Sequence, residues 1–137
     1  MEILIVIVLL GVLATIIMGS YLGSLKKARD SRRKQDLEQI SKALELYYSK
    51  QGQYPTDISF GDAFIEGGVT FMKALPQDPS GDSYTYVYES SSPYQEFELY
   101  SCLENDQDPD YVDSGYSETN CGLSCGPCKY QITSSGL

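Results

Sequence analysis

MEILIVIVLLGVLATIIM, Met1 to Met18, is apolar on every face of a helix except at Glu2, Gly11 and Thr15, and its reading decides the fold. It falls slightly short of the about 20 residues that a full membrane span needs. It also lacks the basic start and the small-residue cleavage site of a secretory signal. An ordinary membrane anchor is the plain alternative. Glu2 speaks against that alternative, because a carboxylate in an apolar helix is costly unless paired and usually marks function. Its place at the helix N-terminus offsets only part of the cost.

Working outward, Gly19, Ser20, Gly23 and Ser24 weaken the helix without ending it. Leu22, Leu25 and Ala28, then Leu37, Ile40, Ala43, Leu44 and Tyr47, recur at spacings of three and four, the signature of an amphipathic helix. Arg29, Arg32, Arg33, Asp36 and Lys50 are assigned to its opposite face. This second half runs to about Ser49 or Lys50, where Gly52 and Pro55 stop it. Together the halves predict one helix of roughly 50 residues, about 75 Å long. The remaining chain is too small to cover such a rod, so half of it projects into another environment. Three segments follow: 1–25, the hydrophobic half-helix; 26–50, the amphipathic half; and 51–137, a globular head with a C-terminal loop.

Past Pro55 the pattern changes. Phe60 to Gly68 reads as loop or a short turn, and Thr70 to Ala74 as a brief helix before a turn over Pro76 to Gly81. Ser83 to Glu89 (SYTYVYE) alternates, with Tyr84, Tyr86 and Tyr88 on one face. After a turn at Ser90 to Pro93, Gln95 to Cys102 (QEFELYSC) alternates again, with Phe97 and Leu99 inward and Glu96, Glu98 and Tyr100 outward. Lys129 to Thr133 supplies a last strand. The fold class is α+β: a long N-terminal helix with a small antiparallel sheet laid on Leu37, Ile40, Leu44 and Tyr47.

The formal charge of −9 conceals an asymmetry. Seven basic residues lie between Lys26 and Lys42, whereas from Gln51 onward only Lys73 and Lys129 oppose fourteen acidic residues. The basic run reads as a solvated helix face, available to acidic neighbours or anionic headgroups. The acidic head repels nucleic acid and anionic lipid, so no direct nucleic-acid partner is expected. Histidine is absent, and no nucleophile–base pair or phosphate loop is found, so the sequence does not read as an enzyme.

Cys102, Cys121, Cys125 and Cys128 call for an oxidising compartment or a metal. The leading reading is two disulfides that tie the C-terminal loop to the strand ending at Cys102. Pairing Cys125 with Cys128 would close only a tiny loop. A four-cysteine zinc site is the rival, since Cys125-Gly126-Pro127-Cys128 has ligand-like spacing. The same CGPC matches a redox motif, though no βαβ pattern accompanies it. Asp106, Asp108, Asp110 and Asp113, with Glu104, form an acidic loop of calcium-ligand type. An EF-hand is excluded, because its glycine and final acidic positions fall on Tyr111 and Ser117. A solvated acidic turn is the plain alternative.

A glutamate near the start of an apolar helix, a glycine nine residues on, and then LEQISKALELYYSKQGQYPTD leading into a small sheet resemble the type IV pilin and type II secretion pseudopilin family. The resemblance is specific over the first 55 or so residues. LPQDPSGDSYTYVY and EFELYSCLEND add a weaker likeness to the sheets of major pseudopilins and related pilins. In the family the processed chain usually begins with a methylated phenylalanine, which implies that about three residues and a leader peptide are missing ahead of Glu2. Gly19 stands where many members carry a helix-bending proline.

The resemblance implies that Glu2 neutralises the N-terminal amine of a neighbouring subunit, that Gly11 and Gly19 shape helix packing, and that the segment from Gly19 to Gly23 is a candidate for local melting. It further implies a homopolymeric filament, residence in the inner membrane before assembly, and partnership with a prepilin peptidase and assembly machinery. Major pseudopilins carry a calcium in a late loop, which the aspartates match in place but not closely in sequence. The leading expectation is the major pilin of a type IV pilus, exported as an extracellular filament. The alternatives are a major pseudopilin of a type II secretion system and a monomeric membrane-anchored binding domain.

Overall fold

The structure, a computed structural model, describes residues 2–134, with the side chains at 16–20, 22, 117 and 118 outside that description. One helix, α1, runs unbroken from Glu2 to Gln51. Gly52 ends it at φ 72° while its N–H bonds back to the Tyr48 carbonyl at 2.8 Å, the left-handed cap that glycine favours. Among the described side chains, buried positions begin at Asp30 and continue through Arg33, Leu37, Ile40, Leu44 and Tyr47. Those steps alternate three and four, so they form one stripe down the helix. The stripe is ionic at its lower end and apolar above.

Seven short strands complete the head: β1 (Phe64–Glu66), β2 (Val69–Met72), β3 (Val87–Glu89), β4 (Glu98–Ser101), β5 (Tyr116–Asn120), β6 (Pro127–Cys128) and β7 (Tyr130–Thr133). The central antiparallel sheet has the order β3-β4-β7, with Leu99 paired to Tyr88 on one side and Ile132 on the other. Two separate hairpins, β1-β2 and β5-β6, flank it. Leu99 and Phe97 face the helix stripe and are fully buried with Leu37, Ile40 and Leu44. The distal end closes with aromatics: Tyr47 stacks on Phe64, Tyr48 on Tyr54, and Phe97 meets Tyr54 edge-on. Tyr86 is buried below them and donates from its hydroxyl to Asp36 at 2.9 Å.

Several expectations are corrected. The segment read as loop and brief helix is instead the β1-β2 hairpin, turned by Gly67 and Gly68 at φ 57° and 78°. Two consecutive positive φ values define the hairpin turn that a Gly-Gly pair supplies without strain. The strand expected over Ser83 to Glu89 shrinks to β3. Gly81–Ser83 is a 3-10 turn, and the Thr85 N–H goes to the Cys121 carbonyl rather than into the ladder. Tyr100, expected outward, is buried, because the C-terminal loop covers the far face of the sheet and packs Cys102, Cys121, Cys128 and Tyr116 against it. Arg33 and Asp36 are likewise buried rather than solvated.

Candidate functional site

Two features of the helix have functional weight. The first is its uncovered lower half. Ten apolar residues from Ile3 to Leu13 are each more than half exposed. Burial of such a side chain contributes about 1.5–3 kcal/mol, so leaving all ten in water forfeits on the order of 10 kcal/mol. That equals the whole stability of a typical domain. This surface is therefore built to be covered. Glu2 is exposed at its tip, and nothing lies within 4 Å of a Cβ built on Gly11. The helix passes through Gly19 and Gly23 without a break, and the surroundings of Gly19 lie outside the described residues. Among the described residues, no helix is long and apolar enough to cross a membrane.

The second feature is an ionic clamp where the head grips the helix. Arg33 is fully buried and uses all five of its N–H donors. Nε and Nη2 reach the two oxygens of Asp78 at 2.7 and 3.0 Å, and Nη2 also reaches Ser80 at 2.9 Å. Nη1 serves Asp30 and Glu104, both at 2.8 Å. The Tyr84 ring closes one side, 4.7 Å from the guanidinium carbon. Asp30 also accepts the backbone N–H groups of Glu104 and Asn105, and Arg29 forks onto Glu104 at 2.8 and 2.5 Å.

Burial pulls the Arg33 pKa down, but the hydrogen bonds and charges of Asp78, Glu104 and Asp30 outweigh it and leave it raised. The Arg29 hydrogen bond, helped by Arg33 against partial burial, holds Glu104 down at about 2. Next to the clamp, Lys34 bridges Asp108 and Asp110 at 2.5 and 2.6 Å. Partial burial lowers the Lys34 ammonium, and the two carboxylates more than reverse this.

The expected calcium ligands are thus not brought together. Asp108 and Asp110 turn to Lys34, Glu104 to the arginines, and Asp106 and Asp113 stay exposed. Among the described residues no group of three or more acidic, cysteine or histidine side chains is arranged to hold a metal. The cysteines pair as Cys102–Cys125 and Cys121–Cys128, leaving none free. One bridge ties the loop to the end of β4, as expected, and the other closes the loop on itself. This pairing excludes both the zinc tetrad and a CGPC redox couple. Leu37, Ile40, Leu44 and Tyr47 all lie beneath the sheet and its flanking hairpin. The clamp itself went unread in the sequence. Its available signal was spacing, because Arg33 lies four residues before Leu37 and three after Asp30, on the apolar stripe's own line.

A long helix, half bare and half wrapped by small antiparallel sheets with a disulfide-bonded C-terminal region, is the pilin-like α+β architecture of filament-forming subunits. A family model described as type II secretion system (T2SS), protein G matches residues 20–114. The chain belongs to that family. It is 31% identical over 97 residues to the type II secretion system core protein G of Aeromonas hydrophila, covering 61% of this chain and 66% of the relative. The Klebsiella pneumoniae core protein G is 33% identical over 97 residues, with 61% and 68% covered. That of Vibrio cholerae is 30% identical over 99 residues, with 64% and 66% covered. The match thus spans about two thirds of the length of these relatives. No solved structure matches the chain. The secretion alternative is therefore better supported than the type IV pilus that led the sequence reading.

Proposed function

We propose that this chain is the major pseudopilin of a type II secretion system, a structural subunit that polymerises through its N-terminal helix. The observation that carries this is the unbroken helix whose lower half is apolar and bare while its upper half is clamped in a folded head. The membership of residues 20–114 in the protein G family supports the secretion setting. Before assembly the bare half resides in the inner membrane, and a prepilin peptidase and the assembly machinery act on the chain there. On assembly the same surface packs against copies of itself. In lipid the gain from this packing comes from close van der Waals contact, which Gly11 permits by leaving room for a neighbouring backbone.

Glu2 acts in this reading as a register device. Its carboxylate pairs with the N-terminal amine of the next subunit, and any other register leaves both charges unpaired in a medium of low dielectric. Gly19 and Gly23 weaken the middle of the rod by about 1 kcal/mol each relative to alanine, so the segment between them can melt when the filament extends. No step of this function requires a catalytic group.

The test is production of the chain with its secretion apparatus, followed by shearing, electron microscopy and measurement of secreted cargo. Wild-type chain is expected in short filaments with secretion intact, and Glu2→Ala and Glu2→Gln are expected to lose both. Normal filaments from the Glu2 variants refute the register role. Secretion that proceeds without this chain refutes the assignment itself.

A further inference from the structure

Leu123 is 99% exposed, and it stands in a turn fastened by several backbone hydrogen bonds and two disulfides. The Gly122 carbonyl accepts N–H groups from Cys125 and Gly126, the Cys121 N–H goes to the Gly126 carbonyl, and the Ser124 N–H goes to the Ser83 carbonyl. Disulfides fix both Cys121 and Cys125. A leucine held this far out by so many constraints cannot fold back onto its own core.

The turn lies at the end of the head from which the bare helix emerges. Ser124 and Cys125 line one groove with Lys26 and Lys129, and the first helix residue that the head buries, Asp30, is only one turn further on. Lys26 and Lys27 are both exposed and, among the described residues, neither has an acidic partner within salt-bridge distance. Glu104, which lines the groove with Lys26, is paired with Arg29 and Arg33. Lys129 donates to the Asp113 carbonyl, and Asp106 and Asp113 are the exposed acids of the adjoining loop.

We infer that Leu123, with Lys26 and Lys27, forms a local foot through which the base of an otherwise acidic, lipid-repelling head meets an anionic lipid surface before assembly. This rests on the proposed membrane residence of the bare helix. Lys26 is eight residues beyond Met18, about 12 Å along the axis, which lets a lysine side chain reach back to the headgroup layer. A helix tilt of about 20°, ordinary for membrane helices, lowers one side of the head. On the Leu123 side, that tilt brings the leucine toward the headgroup layer, where the lysines meet phosphate.

The chain has no tryptophan, so a single introduced one reports cleanly. Leu123→Trp, Leu10→Trp and Leu46→Trp are made in the full chain and reconstituted into vesicles of phosphatidylcholine, with or without phosphatidylglycerol, carrying brominated lipid as quencher. Trp emission at position 123 is expected to shift to the blue and to be quenched in the anionic vesicles. Quenching should weaken on the order of tenfold in partition when Lys26→Gln and Lys27→Gln are added. Position 10 is expected to be quenched in both vesicles, and position 46, at the distal end, in neither.

Quenching at 10 with a water-like spectrum at 123 overturns the foot and leaves membrane residence standing. Absence of quenching at both positions overturns both. A blue shift at 123 that brominated lipid does not quench and that grows with protein concentration assigns the leucine to a second copy, and also overturns the foot.

Discussion

Replacing Arg33 with methionine keeps most of the side-chain bulk and removes the guanidinium, leaving Asp30, Asp78 and Glu104 facing one another around a buried gap. With Arg29 and Arg33 present, two positive charges stand against three negative ones. Without Arg33, one stands against three. Breaking a buried ion pair from one side costs about 3–5 kcal/mol, because the uncompensated charges stay desolvated. For a head of about 100 residues, each kcal/mol shifts Tm by about 4–8 °C, so a fall of at least about 12 °C is expected. Near-ultraviolet circular dichroism of the purified full chain in detergent, which reads the packed tyrosines, measures it. Arg33→Lys restores one charge but not the fork that satisfies Asp78 and Glu104 together, and should recover less than half of the loss. If Arg33→Met melts within about 3 °C of wild type, well under the shift that 1 kcal/mol produces, the clamp does not hold the head on the helix and this reasoning fails.

Acid should loosen the same site. Glu104 is held at about 2 against an ordinary 4.5. A carboxylate lowered by folding stabilises the head fully above its unfolded pKa and loses that contribution as pH falls through the folded value. The loss should therefore fall between pH 4.5 and about 2, and Glu104→Gln should flatten the stability profile across that window. Lys34→Met should cost about 1 kcal/mol and speed amide exchange at Asp108 and Tyr111, whose N–H groups bond within the loop; unchanged exchange there would show that Lys34 does not hold the loop. Cys102→Ser with Cys125→Ser opens a link between residues 23 apart in sequence, and denaturant titration should find the head about 3 kcal/mol less stable. Equal midpoints would mean that the link adds nothing to the packing already present.

Much of this was legible in the residues, and the misses share a cause. Apolar periodicity located α1 to within two residues of its end, because Leu37, Ile40, Leu44 and Tyr47 repeat on one line and Gly52 can adopt the left-handed cap. Alternation found Phe97 and Leu99 correctly. Tyr100 was misplaced because alternation shows only that a residue lies on the other face, and the loop that covers that face is a long-range contact. Arg33 was misplaced for a related reason. Its charge reads as solvation unless its partners, 45 and 71 residues away, are known to arrive. The β1-β2 hairpin was a local miss, since Gly67-Gly68 between Phe64–Glu66 and Val69–Met72 is itself a turn signal. For the cysteines, the sequence called for two bridges, and only the folded loop chooses among the three pairings.

The ionic lower end of an otherwise apolar stripe has a geometrical consequence. Leucine and isoleucine at alternating threes and fours pack almost equally well if a sheet slides along the rod by one repeat, so apolar contact alone is degenerate. Arg33 removes that degeneracy, since only one placement brings Asp78, Ser80 and Glu104 to the four donors that Asp30 leaves available. It works as a key cut for a single lock position and fixes both the height and the azimuth of the head on its rod. In any array built by stacking these rods, every head then sits at one height and azimuth on its own rod, so the spacing of the rods passes unblurred to the outer surface.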